Sequence, residues 1–303
     1  MMIKQWGEWI NARQFHAGIV AFVCVMSTFI YLPGTFIASI VLAFVTLRNG
    51  AKFGAVVLAW VAIPAIAFAV RGHFSAFGIA WVHCFVVYIA ALTLRNTHRW
   101  NDVLLVLTLV GCAVVMAAHG FIPDVNAVWH SVLTRLMGTL TASQSVPSEY
   151  WPRIIDLYSR IGTGVVTSTL MIFMFLELMI ARYWQSIIYN PGALKVEMLK
   201  LRIHRWVSLI LPIAVILAFI THNTVLIDMM PVILFPFIVE GLIVLHAAAV
   251  AKPNWRFMVP VAYVATFVFT YFICLWALIG FLDGWVKFPS RIKAFEILEK
   301  GEK

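Results

Sequence analysis

Charge is what this chain has least of. Asp, Glu, Lys and Arg make up 12% of its 303 residues, about half of the roughly 25% usual in a soluble domain, while 63% of its residues are hydrophobic. A water-soluble globule of this length cannot bury so much apolar surface, and the mean hydropathy of +0.95 assigns the chain to a bilayer. The four cysteines, Cys24, Cys84, Cys112 and Cys274, lie in apolar runs and form no C-x-x-C pair, so neither a disulfide framework nor a zinc site is suggested. Also missing are G-x-x-x-x-G-K-[ST], G-x-S-x-G, H-E-x-x-H and any acid pair at i, i+4. An ATPase, serine hydrolase or zinc protease of familiar type is thereby set aside. No catalytic residue, metal or cofactor is expected, and an enzyme would need an intramembrane constellation of another kind. No small-residue cleavage site follows the first apolar stretch, so that stretch is expected to stay in the mature protein. The net charge of +9 is spread over the connections between apolar runs. Membrane lipids, not nucleic acid, are the partners this distribution predicts.

Apolar runs occupy residues 16–32, 34–47, 54–70, 74–94, 102–118, 161–181, 206–221, 225–250 and 257–281. They predict an all-α, polytopic transmembrane helix bundle of about eight or nine spans, a single integral membrane domain over residues 1–303. Leu32-Pro33-Gly34 interrupts the first run, giving either a tight hairpin of two short helices or one broken span. Trp100, Trp151, Trp184, Trp206, Trp255 and Trp285 sit at or near run ends, where an amphipathic ring favours the headgroup level. The Lys and Arg distribution leans towards nine spans with the N-terminus inside, although it leaves the basic tail 286–303 outside.

The connection 119–160 is too long for an ordinary loop. Val125, Val128, Trp129, Val132, Leu133, Leu136 and Leu140 recur at helical spacing, which predicts one amphipathic helix lying on the membrane surface. Thr141 to Glu149 reads as a flexible connector, and Pro152 as the start of the next helix.

Ionisable groups within spans cost about 2.5–3.5 kcal/mol each at the midplane and need a partner or a wet cavity. Four are candidates for binding a substrate: Glu240, His83, His246 and Glu177, with Glu240 and His83 expected to bound a polar cavity. Glu177 stands five residues before Arg182, whose side chain could snorkel to it. Glu240 and His246 are six residues apart, roughly 240° around a helix, so they do not share a face. Asp228, near a helix start, reads as interfacial. Arg48-Asn49-Gly50 is either a tight turn or a rigid elbow shown to a partner. In residues 181–206, Asn190-Pro191-Gly192 predicts a turn. A surface-lying basic helix from Leu194 to Arg205 should follow, with Lys195, Lys200 and Arg202 on lipid phosphates.

TLRNGAKFGA (46–55), GTGVVTSTLM (162–171), ARYWQSIIYNPGALKVEMLKLR (181–202), the EGL of FIVEGLIVLH and FLDGWVKFPSR (281–291) together resemble the YybS-like family of uncharacterised bacterial multi-pass membrane proteins. That resemblance implies location in the bacterial inner (cytoplasmic) membrane. It also implies a distant likeness to the substrate-binding subunits of energy-coupling-factor transporters, which work beside other membrane subunits and an ATPase pair. The expected function is a transport-related, substrate-binding membrane subunit without its own ATPase. The alternative is a non-transporting scaffold or assembly protein acting through its basic cytoplasmic loop.

Overall fold

The computed structural model describes residues 2–28, 33–70, 72, 78–141, 151–286, 288, 291, 293–294 and 296–297, and every element among them is helical. Among the described residues three helices are long and apolar enough to cross a membrane, Trp100–Phe121, Gly162–Tyr189 and Thr224–Ala251, and a fourth span is formed if Ala193–Lys200 and Arg205–Thr221, bent by 59°, count as one. At 1.5 Å per residue, 22 to 28 residues reach about 33–42 Å, enough for a hydrocarbon core of about 30 Å. Gln14–Ser27, Gly34–Asn49, Ala51–Pro64 and Tyr271–Val286 are apolar but shorter. The chain divides into two compact units, one of residues 1–107, 172–201 and 291–303, the other of residues 108–171 and 202–290.

The first unit contains α1 (Met2–Ala12), α2 (Gln14–Ser27), α3 (Gly34–Asn49), α4 (Ala51–Val70) and α5 (His83–Thr97). It also holds the start of α6 (Trp100–Phe121), the end of α9 (Gly162–Tyr189) and α10 (Ala193–Lys200). α2 and α3 pack side by side as two helices, so the break at Pro33-Gly34 separates two short elements. A Cβ on Gly34 would strike the Cys24 carbonyl, and Thr28 and Thr35 join their hydroxyls at 3.1 Å. α3 is surrounded: Ala38, Val41, Leu42, Ala43, Phe44, Val45 and Leu47 are all buried, and Phe44 stacks on Trp184 with ring centroids 4.5 Å apart. Lipid tails are as apolar as leucine, so this helix gains from close packing more than from escaping water. α1 lies outside the apolar runs. It buries Gly7 and Ile10 and exposes Trp6 and Trp9.

The second unit holds the rest of α6 and of α9, α7 (Val125–Thr141), α8 (Trp151–Ser159), α11 (Arg205–Ser208), α12 (Ile210–Thr221), α13 (Thr224–Ala251), α14 (Met258–Val268) and α15 (Tyr271–Val286). Asn223 caps α13, its Oδ1 accepting from the backbone N–H of Val225 at 3.0 Å and of Leu226 at 3.1 Å. α13 crosses α15 where both carry glycine. A Cβ at Gly241 would collide with the Trp276 carbonyl, and one at Gly280 with the Phe237 carbonyl. The amphipathic helix expected in the long connection is present as α7. Val125 is buried and the Trp129 indole donates to Thr163 Oγ1 at 2.9 Å, but Val128, Val132 and Leu136 stay exposed. The connector expected at Thr141 to Glu149 lies, beyond Thr141, outside the described residues. The run at 257–281 forms two helices with a break at Phe269-Thr270.

Candidate functional site

In the first unit, α3 ends at Asn49, and Gly50 follows with φ +92°, its N–H donating to Thr46 O at 2.9 Å. A helix end leaves carbonyls without intrahelical donors. Arg95 supplies them: its Nη1 donates to Leu47 O and, at 2.7 Å, to Arg48 O. Arg95 itself stands in the last turn of α5, which closes on His98 in the left-handed conformation at φ +56°. A cation at two helix C-termini also opposes the negative ends of their dipoles. The Arg48-Asn49-Gly50 stretch is a turn at the end of α3 whose Arg48 carbonyl meets Arg95. Its side chains have their own contacts: Arg48 lies 4.0 Å over the Tyr189 ring, and Asn49 Nδ2 donates to Asn11 Oδ1 at 3.1 Å.

On α9, Arg182 Nε donates to Glu197 Oε2 at 3.1 Å, Nη2 to Glu197 Oε1, and Nη1 to Gln185 Oε1 at 2.6 Å. Trp100 Nε1 also donates to Glu197 Oε2, at 3.1 Å. The expected turn at Asn190-Pro191-Gly192 makes this pairing possible. Gly192 at φ +92° reverses the chain so that α10 returns Glu197 to α9. A cavity of about 330 Å³ opens between these elements, with Leu47 and Leu94 as its apolar wall and Arg95, Asn96, His98, Arg182, Gln185 and Glu197 as its polar one.

Deeper in the same unit, three helices bring an ionisable cluster together. His83 Nε2 lies 2.8 Å from Glu177 Oε2 and 3.0 Å from Oε1, and Ser39 Oγ donates to Oε2 at 2.5 Å. All three side chains are buried, and Phe36 packs its edge on the imidazole at 5.2 Å. The local partner expected for Glu177 is otherwise engaged, because the bidentate geometry offered by Glu197 suits the Arg182 guanidinium better than a carboxylate five residues away. Ser39 bonds to the carboxylate and not to the imidazole, so no base stands ready to activate its hydroxyl. The helices carrying this cluster, α3, α5 and α9, continue for roughly 8–16 Å to Leu47, Leu94 and Arg182 at the cavity.

Glu240, His246 and Asp228 belong to the second unit. Glu240, in the second unit, is fully buried, and both its carboxylate oxygens lie 3.2 Å from the backbone N of Ile203. His246 is exposed and bonds within its own helix, Nδ1 to Leu242 O at 2.8 Å. Asp228, expected at the interface, is 1% exposed, 2.9 Å from His119 Nε2 and accepting from Gly164 N–H at 2.7 Å. The basic helix after the turn ends at Lys200, five residues short of the expected Arg205. Leu201 to His204 are extended, with Leu201 and Ile203 buried and His204 exposed, so period-two alternation replaces the helical one. Arg202 Nε lies 3.4 Å from the buried Asp283, and Lys195 and Lys200 are exposed. Arg291 Nη2 donates to Leu199 O at 2.9 Å and to Leu201 O.

Among the described residues no group of three or more His, Cys, Asp or Glu could hold a metal ion. No protein-family model, curated protein or solved structure matches the chain. The residues of the cavity escaped the sequence reading, apart from Arg182 as a neighbour of Glu177. The available signal was that Arg95 and Arg182 directly follow apolar runs, and that Gln185 and Glu197 lie in the polar stretch 181–206.

Proposed function

We propose that the chain is a multi-pass protein of the bacterial inner membrane, with about eight or nine spans, that binds a small polar solute. It would act as the substrate-binding membrane subunit of a transport system whose ATPase resides on other chains. The observation that carries this reading is the cavity of about 330 Å³ with Arg95, Arg182, Gln185 and Glu197 in its wall. That volume lies within the range of small-molecule sites, about 300–1,000 Å³. The resemblance to the YybS-like family supports the same assignment. Binding suits this wall better than catalysis, because Arg182 and Glu197 are already spent on each other. Affinity capture of the intact protein in detergent tests it, with recovery of an ATPase pair as the expected result.

A second reading, a scaffold acting through the basic loop, is favoured by the exposure of Lys195 and Lys200. A stable complex without an ATPase would support it over transport, and capture of no partner would count against both.

A further inference from the structure

Hydrogen-bonding capacity in the cavity is unevenly spent. Both oxygens of Glu197 are occupied, Oε1 by Arg182 and Oε2 by Arg182 and Trp100. Gln185 Oε1 accepts from Arg182 Nη1 at 2.6 Å. Since a guanidinium only donates, that contact fixes the orientation of the amide and leaves its Nε2, a second donor, unspent. Arg95 uses Nη1 on the two carbonyls at the end of α3, and its Nε and Nη2 donate to nothing among the described residues. Gly50 has no side chain over that edge; a Cβ there would sit 3.3 Å from Nε. What remains in this wall is mainly donors. The formal charge agrees: two arginines against one glutamate leave a single positive charge.

We propose that the cavity takes an oxyanion, a carboxylate or phosphate group, held by Arg95 Nε and Nη2 and by Gln185 Nε2. The inference rests on the solute-binding reading above and names the class of solute. A planar guanidinium already tethered by one nitrogen offers a carboxylate or phosphate two parallel donors at little further ordering cost. The carbonyl ends of α3 and α5 would repel an anion if they were bare. The bonds from Arg95 to Leu47 O and Arg48 O, and from His98 N–H to Leu94 O at 2.9 Å, cover carbonyls there. The oxyanion could belong to a free solute or to a lipid headgroup.

The full chain in a maltoside detergent, which carries no phosphate, is titrated with acetate, succinate and inorganic phosphate. Choline and glucose are titrated in parallel at matched ionic strength, with thermal unfolding and tryptophan fluorescence as readouts. Native mass spectrometry with added phosphatidic acid forms the lipid arm. Saturable binding of an oxyanion is expected, weakened about tenfold or more by Gln185→Leu and by Arg95→Lys, the scale of a hydrogen bond to a charged group. Because Arg95 also ties down α3, Arg95→Lys could fail to fold, and Gln185→Leu, which leaves those ties intact, then decides. Retention of phosphatidic acid, reduced by Gln185→Leu, without binding of soluble oxyanions would assign the group to a lipid. Binding of choline or glucose but no oxyanion overturns the anion class and leaves the solute-binding reading standing. Binding that Gln185→Leu does not weaken overturns the site. Binding of none of these probes overturns both the class and the reading.

Discussion

His83 and Glu177 stand 94 positions apart in the chain, and the imidazole Nε2 reaches both carboxylate oxygens, at 2.8 and 3.0 Å. Both groups are buried. Removing one partner of such a pair costs about 3–5 kcal/mol when a charge is left behind, whereas replacing both by apolar groups can be nearly neutral. His83→Leu leaves a buried carboxylate with Ser39 as its remaining described partner, and Glu177→Leu leaves an imidazole that can stay neutral. Thermal unfolding in detergent should therefore rank His83→Leu as the most destabilised, Glu177→Leu as intermediate, and the double variant above His83→Leu. A double variant as damaged as the sum of the two singles would show that the pair is not coupled.

The glycine crossing of α13 and α15 predicts steric intolerance. Gly241→Ala and Gly280→Ala each place a methyl group against a backbone carbonyl, and overpacking of this kind costs about 1–3 kcal/mol. Gly120→Ala is the control. It lies in the helix Trp100–Phe121 with nothing within 4 Å of an added Cβ, and should be neutral or stabilising by up to about 1 kcal/mol. Denaturation midpoints of the three variants check the contrast.

Gly50→Ala joins two penalties. The left-handed φ of +92° is strained for alanine, and the methyl group crowds Arg95. A loss of about 1–3 kcal/mol is expected, together with weaker oxyanion binding if Arg95 holds the ligand. A variant of unchanged stability would mean that the end of α3 can adopt another turn.

The three cations read as one lipid-facing group should separate on substitution. Arg202→Gln strips the ion-pair partner from an Asp283 that has no exposed surface, and should cost roughly 1–3 kcal/mol after allowance for the partial exposure of Arg202. Lys195→Gln and Lys200→Gln, both at exposed positions, should change stability by no more than about 0.5 kcal/mol each. Equal effects at all three would show that Asp283 does not depend on Arg202 for its stability.

Hydropathy made much of the helical framework legible because a long helix needs a long apolar run. Runs at 102–118 and 225–250 became Trp100–Phe121 and Thr224–Ala251, and the 3.6-residue period revealed Val125–Thr141. The division of 257–281 could not be read, since Phe269-Thr270 carries neither glycine nor proline. The site was less legible still. Sequence reasoning paired Glu177 with the nearest cation, while the partners chosen by the fold, His83 and Ser39, lie 94 and 138 positions away. Arg95 directly follows the run 74–94, and nothing local says that its guanidinium reaches carbonyls about 47 positions back along the chain.

The extended segment Leu201 to His204 carries a cost in time. Its amide at Ile203 waits 37 residues of synthesis for Glu240, and the carbonyl of Leu201 waits 90 residues for Arg291. At about 5–20 residues per second that is roughly 5–20 s for the longer wait. An unsatisfied backbone group in hydrocarbon costs several kcal/mol, so while the ribosome is still completing the chain this stretch is better left wet. Its ordering is consequently a late event of biogenesis, set by the synthesis of Arg291 and not by the emergence of its own residues.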